Sequence, residues 1–129
     1  MEPRKTALPR YTISQERANS FSHFFGYVLV LLGAPALLQK AAASGNWISL
    51  LSAVVFLVSA GVLYLGSAIY HILPPSDEKR VWRVLDHNNV FLLIMGTYTP
   101  YCLVGLHSFP AWGYAIFGIV MFLGVAGVI

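Results

Sequence analysis

The 129-residue chain is 57% hydrophobic and only 10% charged, with a formal net charge of +3. A soluble domain usually has about a quarter of its residues charged, whereas after Asp86 this chain has no Asp, Glu, Lys or Arg at all. No water-facing surface can be made from that half, so a soluble globular domain is excluded, and the basic balance points to membrane topology and not to nucleic acid.

The first twenty residues are polar, contain Pro3 and Pro9, and read as an amino-terminal segment on the cytoplasmic side, residues 1–20. Residues 21–129 read as a transmembrane helical domain lying in a lipid bilayer. Four apolar stretches follow one another within it, at residues 22–38, 47–71, 90–106 and 110–129. Each has the roughly 17–25 residues that a helix needs to cross a hydrocarbon core of about 30 Å. The predicted fold is therefore all-α, a polytopic transmembrane helix bundle with about four spans.

Between the runs, residues 39–46 end on Ser44-Gly45-Asn46, a turn signal. Pro74-Pro75 stops the second helix, and Ser76 or Asp77 is placed to cap the approach to the third. Residues 107–109 are short and uncharged. Pro35 and Pro100 fall inside spans, where neighbouring helices can satisfy the freed carbonyls, and Pro100 is expected to bend the third helix. There is no GxxxG pair to mark a close helix crossing. Ala41-Ala42-Ala43 resembles a cleavage site, but it lies beyond the usual leader length of about 15–30 residues and follows Lys40, so the first run is expected to remain as an anchor. The single Cys102 forms no internal disulfide and no paired-cysteine metal motif. Because the last residue lies inside the fourth apolar run, the domain is expected to be incomplete at its carboxyl end.

Lys and Arg favour the cytoplasmic side. Arg4, Lys5, Arg10 and Arg17 lie in the leading segment, Lys79, Arg80 and Arg83 in the second loop, and Lys40 alone in the first. The amino terminus and the second loop are thus expected in the cytoplasm, and the first and third loops outside. Trp47 and Trp112 then fall at the outer interface and Trp82 at the inner one, as aromatic anchors do.

This topology brings three polar groups to one depth. Glu16, Asn19 and His23 share a face of the first helix, Ser67 and His71 share a face of the second, and Asp86 with His87 opens the third. Each has an ordinary reading: Glu16 as a solvated acid favoured by the helix dipole, Asn19 and His23 as interfacial polar residues, His71 as a helix-end histidine, Asp86 as a partner of Arg83 or Lys79. His87 points roughly 100° away from Asp86 around the helix, and His107 lies in the outer loop, so both read as structural. The alternative reading is a metal site, since neutral histidine binds zinc and a carboxylate can ligate the metal or hold its water. By spacing alone, the chain offers His71 as one ligand and no evident second or third.

The run Gln15-Glu16-Arg17-Ala18-Asn19-Ser20-Phe21-Ser22-His23-Phe24-Phe25-Gly26 resembles the opening of the hemolysin III proteins. So do Ser67-Ala68-Ile69-Tyr70-His71, Leu85-Asp86-His87 and Ile94-Met95-Gly96-Thr97-Tyr98-Thr99-Pro100. Together they are similar to the progestin and adipoQ receptor superfamily, which includes hemolysin III and the adiponectin receptors. The resemblance implies a seven-helix protein of the cell membrane with its amino terminus inside. It also implies a zinc held by one histidine of helix two and two of helix seven. His71 matches the helix-two ligand, Ser67 the serine one turn before it, and Asp86 the aspartate near the metal-bound water; the helix-seven pair has no counterpart here. Adiponectin receptors are linked to ceramide hydrolysis, so the implied function is zinc-dependent hydrolysis of a lipid amide. Glu16, Asn19 and His23 are expected to close the cytoplasmic side of the site. A pore, for which hemolysin III was named, and a receptor with a structural zinc are the competing expectations.

The topology has a direct test. In a Cys102→Ser background, an impermeant thiol reagent should label Gly45→Cys in intact cells and spare Pro75→Cys. The opposite pattern would invert the orientation.

Overall fold

A computed structural model describes residues 8–128, among which there is no strand. Pro3, Arg4, Lys5 and Ile129, which entered the reading above, lie outside the described residues. Four α-helices follow in order: α1 (Ile13–Ala43), α2 (Trp47–Ile72), α3 (Asp77–Pro100) and α4 (Pro110–Gly127). A π-helical stretch, Tyr101–Gly105, continues α3.

Local chemistry sets the helix ends. Thr12 opens α1 with a capping box: its hydroxyl accepts from the Gln15 amide at 3.2 Å, and the Gln15 side chain accepts from the Thr12 amide at 2.9 Å. Asn46 caps α2 through Ile48 N at 2.9 Å. Between them Gly45 takes a φ of +67°, a left-handed turn that glycine enters without steric cost. Ser76 caps α3 through Lys79 N at 3.1 Å, with Asp77 and Glu78 in the first turn, where acids favour the helix dipole. α1 runs through Pro35 unbroken. At Pro100 the α-helical pattern gives way to the wider π turn, in which Leu106 N donates to Tyr101 O at 3.1 Å.

α1, α2 and α4 are each long and apolar enough to cross a membrane. α3 is not among them, although the third apolar run was expected to make a fourth span. The helix begins at Asp77, well before that run, and its first half carries Asp77, Glu78, Lys79, Arg80, Arg83 and Asp86. Its apolar half continues through the π turn, so the path from Asp77 to Gly105 rises about 40 Å at 1.5 Å per residue. α2 is central, packed by α1 on one side and α3 on the other, and α4 lies against α3 and the π turn. The result is a polytopic helical bundle.

The interior consists mostly of small side chains, and the exterior carries most of the large apolar ones. Ser52-Ala53, Ser59-Ala60 and Gly66-Ser67 are all buried on α2, pair following pair at intervals of seven residues. That spacing keeps one seam of α2 facing its neighbours. Phe122 is 73% exposed, Trp47 72% and Phe21 72%. Such an outer surface suits lipid, where helices associate through close packing of small residues and not through the hydrophobic effect. Backbones approach closely along the seams. A Cβ added at Gly96 would stand 1.8 Å from Ser59 Oγ and 2.6 Å from Ser59 Cβ, and one at Gly113 would stand 2.6 Å from the Cys102 carbonyl oxygen. A Cβ at Gly33 would meet nothing within 4 Å.

Gly96→Ala and Gly113→Ala should therefore each destabilise the folded protein by about 1–3 kcal/mol, the usual cost of overpacking. Gly33→Ala should be neutral or slightly stabilising. Unfolding titrations in mixed micelles read all three; equal behaviour of Gly96→Ala and Gly33→Ala would refute the close α2–α3 contact.

Candidate functional site

The amino end of α1, the carboxyl end of α2 and the amino end of α3 meet at one end of the bundle. The residues 73–76 between α2 and α3 form a short connection that starts with extended Leu73. This tight reversal returns the first turn of α3 beneath the last turn of α2. Lys79 is thereby carried to His71, and Glu16 reaches both from α1.

Glu16 is the centre of the group. Its Oε2 lies 2.7 Å from His71 Nδ1, and its Oε1 accepts from Lys79 Nζ at 2.8 Å. Lys79 Nζ also donates to the Leu73 carbonyl at 2.9 Å and lies 5.1 Å from the centre of the Tyr70 ring. The Lys79 side chain is only 4% exposed, that of His71 10% and that of Glu16 19%. A lysine this buried is found only where its charge is paired, and here a carboxylate, a carbonyl and an aromatic face together replace its hydration. An ionised carboxylate can only accept, so Nδ1 of His71 is the donor. In the neutral imidazole the lone pair is then on Nε2.

Rings surround His71. Tyr70 lies at 4.7 Å between centroids, His23 at 5.9 Å and Tyr11 at 6.1 Å. His23 donates from Nδ1 to the Asn19 carbonyl at 2.8 Å, so its Nε2 is also free of that bond. Deeper in the bundle Ser20 donates to the Ala68 carbonyl at 2.9 Å and ties α1 to α2. Beside His71 a cavity of about 1090 Å³ is lined by Arg10, Arg17, Phe21, Phe24 and Lys79 among others.

The expected residues are thus only partly gathered. Glu16 and His71 are in direct contact, and His23 adjoins His71. Asn19 contributes its backbone carbonyl. Ser67 is buried one turn before His71, away from the cavity wall. Asp86 is half-buried on α3 and bonds neither Glu16 nor His71, whose polar partners are each other and Lys79. Asp86 does lie within electrostatic range of Tyr70. Among the described residues no group of three His, Cys, Asp or Glu is placed to hold a metal ion. Glu16 is no solvated acid, and Lys79 pairs with it and not with Asp86. Lys79 was expected only as a loop cation or a partner of Asp86, and Ser20 and Tyr70 stood in the motifs without a role; a signal was available for Ser20, one turn after Glu16 on the same face.

Residues 11–129 match the model of the family described as Haemolysin-III related. The chain belongs to this family. It is 32% identical over 119 residues to a hemolysin-3 homolog of Bacillus subtilis (strain 168), covering 92% of this chain and 55% of that protein. It is 30% identical over 117 residues to hemolysin-3 of Bacillus cereus, covering 91% of this chain and 52% of the relative. The chain therefore spans about half the length of these curated relatives. No solved structure matches it.

Proposed function

We propose that the protein is a zinc-dependent hydrolase of lipid amides in the cell membrane, with its amino terminus in the cytoplasm and His71 as one metal ligand. The supporting observation is the state of His71. Its Nδ1 is bound by a carboxylate, which leaves Nε2 as the donor atom, the arrangement that recurs in metal-ligating histidines. Imidazole nitrogen suits zinc, and a catalytic zinc takes about three protein ligands with one open position. The described residues fit this group at one ligand, and the reading assigns the others to the part of the family's length that this sequence does not span. Bound at His71, zinc would supply a Lewis acid for the amide carbonyl and lower the pKa of water to about 7.

The chain's own residues then divide the remaining work. Asp86 would orient or deprotonate the attacking water, and Ser67 would support the site from its buried position. Glu16, Asn19 and His23 close the same end of the bundle. The cavity beside His71 sets Arg10 and Arg17 next to Phe21 and Phe24, a lining suited to the polar head and the chain of a lipid substrate. The name hemolysin, carried by both relatives, favours a second reading in which the helices line a pore.

Fatty-acid release from ceramide-like lipids, measured on the protein at its natural length in liposomes, tests the choice. Wild type should retain zinc and show zinc-dependent release, and His71→Ala should lose both. Asp86→Asn should retain zinc and lose about 10²–10⁴-fold in rate, the usual contribution of a general base. Absence of zinc-dependent release across several lipid amides would sink the hydrolase; vesicle leakage that survives His71→Ala would favour the pore.

A further inference from the structure

We infer that Glu16 is a positioning residue that selects the tautomer of His71, and that Lys79 fixes which way it selects. The inference deepens the reading of His71 as a metal ligand, and rests on it only for its consequence in metal binding.

The geometry assigns each oxygen of the carboxylate one task. Oε1 is held by Lys79 at 2.8 Å and Oε2 faces His71 Nδ1 at 2.7 Å. The ammonium has donors only, so the group opposite it must present an oxygen. Lys79 is also anchored to the Leu73 carbonyl at 2.9 Å and by the Tyr70 ring, and its side chain is 4% exposed. It cannot readily swing away to release Glu16. The carboxylate is thereby kept in one orientation, with its second oxygen towards the imidazole. No other hydrogen bond reaches His71 from a described residue; Tyr11, Tyr70 and His23 meet it as rings. The position of the His71 proton is therefore decided at one bond.

Replacing Glu16 by glutamine turns this into a sharp test, because an amide has one accepting oxygen and one donating nitrogen. Lys79 demands the oxygen. The amide NH₂ of Glu16→Gln then faces His71 Nδ1 and donates to it, and the imidazole proton moves to Nε2. The side chain keeps its size while the tautomer reverses. Removing the ammonium with Lys79→Met lifts that demand and lets the amide present either its oxygen or its nitrogen to His71. The double variant Glu16→Gln/Lys79→Met should then lose the strict Nε2–H preference and regain part of the Nδ1–H form.

Imidazole ¹⁵N chemical shifts of His71 in zinc-free, natural-length protein report the tautomer directly. Chelator competition on the same samples reports zinc affinity. Wild type and Lys79→Met should carry the proton on Nδ1. Glu16→Gln should carry it on Nε2 and bind zinc about 10–100-fold more weakly, the usual effect of losing a ligand's orienting partner. The double variant should show part of the Nδ1–H form and bind zinc more tightly than Glu16→Gln. An unchanged Nδ1–H signal in Glu16→Gln would overturn the inference, as would a double variant with the same tautomer population as Glu16→Gln. If the tautomer shifts as stated but wild type binds no zinc, Glu16 keeps its role and the metal reading fails alone.

Discussion

One carboxylate, Glu16, is shared between the His71 imidazole and the Lys79 ammonium, and three helix ends meet around it. The partners are 55 and 63 residues away in the chain, so the contact closes two long loops at once. Without the acid, a lysine that is 3% exposed would hold its charge against two helices with only a carbonyl and a ring for company. Burying an unpaired charge is among the most destabilising changes a fold can suffer. The pair is open on the Glu16 side, where 19% of the side chain is exposed, so solvent softens the contact without replacing it. The end of the bundle is thus held by a polar knot, in a protein whose other contacts are almost all apolar or small.

That knot forms only because the helices come close enough. Lipid gives apolar side chains no reason to leave it, so helix pairs in a membrane are held by shape and by hydrogen bonds. The small pairs of α2, spaced by seven residues from Ser52-Ala53 to Gly66-Ser67, provide the shape. Hydrogen bonds to backbone carbonyls follow the same seams, from Ser20 to Ala68 across α1 and α2, and from Asn89 to Val62 at 3.4 Å across α2 and α3. Both carbonyls belong to α2, within about two and a half turns of His71. The helix that carries the imidazole is pinned from both sides just before its polar end. This fixes His71 more firmly than its place in the last turn of a helix would suggest.

The apolar runs, the Ser44-Gly45-Asn46 turn and the Pro74-Pro75 stop were legible in the sequence because each rests on short-range chemistry. The start of α3 was legible only in its Ser76 cap, because two signals disagree. Hydropathy marks where the chain becomes apolar, at Val90, while the Ser76 cap marks where it becomes helical. A helix may begin well outside the apolar slab, and only the cap reads its length. The seam of α2 escaped for another reason: GxxxG asks for glycine, and here serine and alanine do the same steric work on a longer period. Lys79 was read as one of several loop cations, since charge counting shows which side of a membrane a loop prefers and not which cation turns inward. What turns it inward is the short connection at residues 73–76, whose geometry no local pattern discloses.

α3 shows how a helix with six Asp, Glu, Lys and Arg residues in its first half can still belong to a membrane bundle. Lys79, Asp86 and Gly96 do not point to lipid at random. Residues 79, 82, 86, 89, 93 and 96 recur at three- and four-residue steps along one face. Two contacts fix which way that face looks: Asn89 presses on Gly66, and Gly96 lies against Ser59. The stripe therefore faces α2, and Asp86, one turn before Asn89, is carried on the protein side of the helix, where it is half-buried. An ionisable group so placed avoids most of the cost of about 2.5–3.5 kcal/mol that the middle of a bilayer exacts. Of the charges that lower the hydropathy of α3, Lys79 and Asp86 lie on this stripe against α2, while Asp77 and Glu78 stay exposed outside it. A polar line thus runs from Lys79 through Asp86 to Asn89, along the flank of the helix that bears His71.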